Sequence, residues 1–495
     1  MNTYAKTKYH VSFIGLAIIL LLAYLGVMLK GVDLQKLFIV AFVAVTGLGG
    51  VTYIWHRWWK KAHRFHIAVS LLVLSSFIGA AVPLYKVAGF TIYPFRILLA
   101  WCIFMLIGFI YYQNKYIVTG LSRIKGNIFT SFGGLWLFFG FFALSWSINP
   151  MNTIQDIIFL ASGIFLIYLI LLVYRNEEDY KELYFYWIIM SLLLVGIGLI
   201  NHFFQIHLPI SRINHVAQYQ KGIPTAVFTN ENDFASFLAI ASFFFLSLLK
   251  NGKSLAYKLI GLSGMVCSIY LIVLASSRAN YIAILLGLIV WFLFVLNPSQ
   301  RLRLSLAGCL FFLPVVIFLW DKVSGVLGSV GKELATLLPT EGGGDSVSIR
   351  ENLLKNVTVF LGDSFGFGVA PGNIELYMKK FQVYDTSGDY NVHNWWAEVL
   401  IHYGVVIFVG YILLLLYLFI QLVKIVRTNH DQASRYMGEA LICGLGAFTM
   451  ASISPNSFMA LHYNWLFIGV CIGFVYMKKK GEDHIVKTNG SINHP

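Results

Sequence analysis

The chain alternates long apolar runs with short polar joints. Runs of bilayer-spanning length fall at 11–29, 37–54, 67–83, 91–112, 128–147, 154–173, 184–206, 234–249, 257–276, 280–296, 304–319, 396–423, 436–454 and 462–477. A helix rises about 1.5 Å per residue, so about twenty apolar residues cross a hydrocarbon core of about 30 Å. The pattern predicts an all-α polytopic integral membrane protein with about 12–14 transmembrane helices. Only one break in it is long, the polar segment 321–394. Short helices are expected there at 331–338 and 349–361, with a flexible joint at Gly342, Gly343 and Gly344. The expected organisation is one transmembrane domain over 1–480 with 321–394 as an extracytoplasmic catalytic loop, then a disordered cytoplasmic tail over 481–495.

Composition excludes a soluble globule: 58% of the 495 residues are hydrophobic and 12% are charged. The net charge of +14 would raise the question of nucleic acid in a soluble protein. Here the lysines and arginines collect in alternate loops, and no nucleic-acid motif accompanies them. With the N-terminus inside, the inner loops carry 23 of them and the outer side 13. Both termini are therefore expected in the cytoplasm, and 321–394 outside. The first run follows a short basic start without a small-residue cleavage site, so it is read as a retained span. The five cysteines lie inside apolar runs at unrelated spacings, which predicts neither a disulfide framework nor a metal site.

The candidate chemistry lies on the outer side. The loop 321–394 holds six lysines and arginines against nine carboxylates, so it is no general polyanion trap. Four outer arginines are more selective: Arg96, Arg212, Arg278 and Arg350. An arginine at membrane depth is costly unless paired or hydrated. Arg96 and Arg278, which lie in or between apolar runs, either snorkel to the headgroups or help form a cationic pocket, where the planar fork suits phosphate or pyrophosphate. His393, beside two tryptophans at a span's edge, is either part of an aromatic belt or a general base. His402, nine residues on, is read as structural on the opposite helix face. Gly366, Gly368 and Gly372 are read as a tight turn, because no GK[ST] follows them. Glu231 and Asp233 are read as favourable to a helix dipole in preference to a metal site. No acidic residue falls near the middle of a span, which weakens an ion-coupled transporter reading.

Five stretches in order resemble the O-antigen ligase and Wzy-type O-antigen polymerase superfamily of bacterial membrane glycosyltransferases. They are FTNENDFASFLA at 228–239, SSRAN at 276–280, Arg350 followed by Leu353, GFGVAPGN at 366–373, and His393-Asn394 with Gly404 ten residues after the asparagine. Two positions depart from the pattern. Ile407 stands where the last motif carries a small or hydroxylated residue, and Arg350 to Leu353 is one residue shorter than in the ligases. The resemblance implies an undecaprenyl-pyrophosphate-linked glycan donor, a glycan acceptor, the bilayer and other polysaccharide-export proteins as partners, and no cofactor. It implies metal-independent, inverting transfer at the outer face of the bacterial cytoplasmic membrane. Arg350 and His393 would be catalytic, and Arg278, Arg350, Arg96 and Arg212 would hold pyrophosphate. A polymerase is the preferred reading; a ligase, a lipid-linked oligosaccharide flippase and a non-catalytic partner of a synthase are the alternatives.

Overall fold

The computed structural model describes residues 64–83, 85–87, 90–124, 127–307, 345–428, 431–432, 434–455 and 458–490, together with Gly49. The expected spans at 11–29 and 304–319 and nearly all of 37–54 lie outside these, apart from 304–307 and Gly49, as do the helix at 331–338 and the glycine triplet. The described residues are helical, with one small exception. Helix α1 (Arg64–Ile78) leads to the antiparallel hairpin β1 (Tyr85–Val87) and β2 (Phe90–Ile92), then to α2 (Pro94–Tyr111), α3 (Lys115–Ile124) and α4 (Ile128–Phe142). Next come α5 (Pro150–Val173), α6 (Glu177–Phe204), α7 (Glu231–Asn251), α8 (Leu255–Leu274) and α9 (Arg278–Val290). The polar segment contributes α10 (Asp345–Asp363) and α11 (Ile374–Phe381). The chain closes with α12 (Trp395–Thr428), α13 (Glu439–Ala451) and α14 (His462–Gly490).

Eight of the described helices are long and apolar enough to cross a membrane, so the chain is a multi-pass membrane protein. Their starts follow local rules. Proline opens α2 and α5, where a missing N–H costs nothing. Asn176 caps α6 in a capping box with Asp179, and Asn230 caps α7 by accepting from the N–H of Asp233. Where a disordered tail is expected from 481, α14 continues to Gly490; no proline interrupts that stretch.

The chain divides into two compact units. The first falls within Met1–Ser131, Ala161–Gly287 and Leu418–Pro495. Its centre is α7, almost wholly buried and packed by α6, α8 and α13. A Cβ on Gly261 of α8 would meet the Leu249 nitrogen at 2.5 Å, so glycine is what lets those two backbones touch. The second unit is Phe132–Leu160 with Leu288–Tyr417. Its polar segment builds a small core from Leu353, Val357 and Phe360 of α10, Ile374 and Met378 of α11, and Val392, Ala397 and Ile401. Because the last two belong to α12, α10 and α11 are seated on a span.

Candidate functional site

In the second unit the glycine-containing turn after α10 meets a break in α12. Gly404 interrupts the helix with φ 75° and ψ 177°. A carbonyl and an N–H are thereby turned away from the helix, and a buried polar group needs a partner. The turn supplies both. Val369 N–H donates to the Ile401 carbonyl at 2.7 Å, and Val405 N–H donates to the Gly366 carbonyl at 2.9 Å. A Cβ on Gly404 would lie 2.5 Å from the Gly366 oxygen, and one on Gly368 would lie 2.3 Å from the Ile401 oxygen.

The other side of the turn is held by the stretch between α4 and α5 and by the first turn of α5. Trp146 Nε1 donates to the Gly368 carbonyl at 3.1 Å, Thr153 Oγ1 to the Pro371 carbonyl at 2.9 Å, and Asn152 Nδ2 to the Gly372 carbonyl at 3.2 Å. Asn373, fully buried, joins them. Its Nδ2 reaches Ser147 Oγ at 3.0 Å and Thr153 Oγ1 at 2.8 Å, while its Oδ1 accepts from Asn149 N–H at 2.9 Å. Asp156 faces His402, with Oδ2 and Nδ1 3.6 Å apart. None of Ser147, Asn149, Asn152, Thr153 or Asp156 stood out in the sequence, and Asn373 only as the last residue of the GFGVAPGN stretch. The one readable signal was an asparagine directly before Pro150, a helix start whose distant partner no local pattern names.

His393 stands before α12, not within it, at φ 49°. A bulky residue in the left-handed region is uncommon and is maintained only where its surroundings over-determine it. Its N–H donates to Asn391 Oδ1 at 2.9 Å, and its Nε2 lies 3.7 Å from Asp389 Oδ2. Asn394 then caps α12, its Oδ1 accepting from Trp396 N–H at 3.1 Å. The helical-phase reading of His402 against His393 therefore does not apply: His402 is buried beside Asp156, and His393 sits in the turn ahead of the helix.

Arg350 is exposed on α10 and forms no ion pair among the described residues. It continues the stripe of Leu353 and Val357, so it stands where the buried face of α10 ends. The loop that leads to His393 is tied to the same helix. Buried Asn356 donates to the Tyr384 carbonyl at 2.8 Å and accepts from the N–H groups of Val383 and Tyr384 at 2.8 and 3.0 Å. Leu353, three residues after Arg350, and Val392, just before His393, belong to the same small core.

The first unit carries the other three arginines. Arg278 opens α9. Just before it, Ser277 Oγ donates to Asn232 Oδ1 at 2.9 Å, and Asn280 Nδ2 donates to Ser277 Oγ at 2.9 Å. The asparagine-containing stretch and the Ser-Arg junction are therefore in contact. Arg212 makes a bidentate pair with Glu231, Nε to Oε2 at 2.8 Å and Nη2 to Oε1. That hydrogen bonding raises the guanidinium's pKa above its ordinary value. Any phosphate would have to compete with Glu231 for it. Asp233 is taken up by Asn230, whose Nδ2 lies 2.9 Å away. Arg96 donates to the Thr91 carbonyl at 2.9 Å, with its guanidinium 4.7 Å from the Tyr93 ring centre. Cation–π contact and a backbone acceptor together hold it at the start of α2.

Residues 263–412 match the family described as O-Antigen ligase. The match takes in Arg278, Arg350, the glycine turn, His393 and Gly404. Over nearly its whole length the chain is also similar to the teichuronic acid biosynthesis protein TuaE of Bacillus subtilis (strain 168). The two are 30% identical over 485 residues, covering 97% of this chain and 98% of the relative. Full-length likeness, the family match and the apolar helices agree: the chain belongs to the O-antigen ligase and Wzy-type polymerase superfamily, the glycosyltransferase-like membrane enzymes of polysaccharide biosynthesis.

Proposed function

We propose that the protein polymerises a cell-surface polysaccharide, transferring glycan from an undecaprenyl-pyrophosphate carrier to a sugar hydroxyl at the outer face of the cytoplasmic membrane. The acceptor oxygen attacks the anomeric carbon from the side opposite the leaving group, so configuration inverts. The bond from that carbon to the pyrophosphate oxygen breaks, and the pyrophosphate-lipid leaves with the electron pair. His393 receives the proton of the attacking hydroxyl. Arg350 and Arg278 meet the charge that develops on the leaving group, where fixed cations lower a barrier most. Arg96 and Arg212 are supporting cations, and the competing Glu231 makes Arg212 the weaker of the two.

The observation that carries the reading is the setting of His393. Its ring lies against Asp389, and its backbone is held out of the helix beside the cap of α12. A carboxylate near an imidazole stabilises the imidazolium that forms when the ring accepts a proton. A relative that takes part in teichuronic acid biosynthesis supports polymerisation over ligation. A deletion strain tests this. Loss of a polymerase leaves single repeat units on the carrier lipid at the outer face. Long lipid-linked chains would instead indicate a ligase, and repeat units kept inside a flippase.

A further inference from the structure

The turn that joins α10 to the glycine stretch displays two aromatic rings. Gly366 N–H donates to the Leu361 carbonyl at 2.8 Å, and Phe365 N–H to the Gly362 carbonyl at 3.0 Å. This bond pair is a Schellman cap, and Phe365 occupies the left-handed position that glycine ordinarily takes. Its φ is 51° and its side chain is 91% exposed. Glycine stands one residue later, so the chain sets a bulky apolar ring at the one place in the cap where a ring is disfavoured. Among the described residues the ring gains no burial in return.

Its neighbours indicate what surrounds it. Phe367 stacks on Phe139, with ring centres 6.4 Å apart and planes 6° from parallel, and lies edge-on to Trp146 at 6.1 Å. Phe139 is six residues before the end of the span Ile128–Ser145, about 9 Å inside it at the helical rise. On the other flank the turn bonds to Val405, where α12 resumes beyond its break as an apolar helix with Val405 and Val406 exposed. Phe138 and Phe142, also exposed, continue the patch along the first span. Aromatic rings that pack inside the end of one span and beside the break in the other, on an apolar surface continuous with both, fit the hydrocarbon side of the boundary with the headgroups.

We propose that Phe365 and Phe367 are inserted into lipid, at the hydrocarbon edge of the leaflet that meets the C-terminal end of the span Ile128–Ser145. The turn is then a membrane wedge. It holds α10 and the glycine stretch at the depth where the headgroup of any lipid-borne substrate lies.

The test places a nitroxide label at Phe365→Cys in the full chain, freed of its native cysteines and reconstituted in phosphatidylcholine bilayers. Val406→Cys serves as the lipid reference and Ser387→Cys as the water reference. The label at 365 is expected to match that at 406, with ready collision with oxygen and little with a water-soluble nickel chelate. Nickel access equal to that at 387 would overturn the proposal. So would shielding from both reagents, which would mean that protein, such as a second copy of the chain, covers the ring. Phe365→Gly gives an independent reading. Glycine suits the cap, so the melting temperature should hold or rise; a fall would show that the ring packs on protein.

Discussion

Ile401 and Val405, one turn apart on α12, both hydrogen-bond across to the glycine turn: the Ile401 carbonyl takes Val369 N–H at 2.7 Å, and Val405 N–H reaches the Gly366 carbonyl at 2.9 Å. The break at Gly404 is thus the joint that fastens the polar segment to the membrane span. It also explains the spacing of the last motif, because the joint must come a set distance along the helix that His393 precedes.

Gly404→Ala should accordingly destabilise the protein. A left-handed non-glycine residue costs about 1–3 kcal/mol, and the added Cβ would press on the Gly366 oxygen. Gly362→Ala is the comparison, since a Cβ there meets nothing within 4 Å and alanine favours the helix by up to about 1 kcal/mol. Thermal unfolding in detergent should show a clear loss for the first variant and none for the second. Equal melting temperatures would mean that the joint carries no stability.

Asn373→Ala should be costly for a different reason. It leaves Thr153, Ser147 and the Asn149 N–H without the amide that joins them. A buried group stripped of its partner costs about 1–3 kcal/mol. Asn373→Asp keeps the acceptor for Asn149 and should retain part of the stability. If the aspartate variant melted no higher than the alanine variant, the bond to Asn149 would not matter.

The arginines should separate by their partners. If Arg278 and Arg350 grip pyrophosphate, alanine at either should slow polymer formation by about 30- to 1000-fold, the equivalent of 2–4 kcal/mol of barrier. Lysine should rescue poorly, for want of the planar fork. Arg212→Ala should be milder, because Glu231 already occupies that guanidinium. Near-normal polymer from Arg350→Ala would remove Arg350 from the reaction.

Orientation can be read from one exposed residue. Ser387 lies in the loop before His393, and the bias of lysines and arginines puts that loop outside. Ser387→Cys, as the sole cysteine, should be labelled by an impermeant thiol reagent in intact cells. Labelling that appears only after lysis would reverse the assignment.

The class of the protein was legible because hydropathy over twenty residues is a local property. The caps at Asn176, Pro94 and Pro150 act within one turn, but the apolar pattern alone starts those spans at 184, 91 and 154. The contact of Asn232 with Ser277 was visible only as two motifs in order. What could not be read was pairing at long range. Asn149 and Asn373 are 224 residues apart, and nothing in either segment's pattern requires the other. The placement of His402 failed for a related reason: helical phase was counted from His393, and the helix begins at Trp395.

In the proposed mechanism His393 takes part in the reaction as a base. His393→Asn tests it most directly, because asparagine tolerates the left-handed backbone yet has no titratable nitrogen. His393→Phe complements it by keeping an aromatic ring at the same depth. His402 is no neutral control, since replacing it would remove the imidazole that lies 3.6 Å from half-buried Asp156. The measurement is polymer formed per unit of membrane-inserted protein. Both variants should reach the membrane at normal levels and form polymer about 10²–10⁴ times more slowly than wild type. Polymer at the wild-type rate from either would contradict the account.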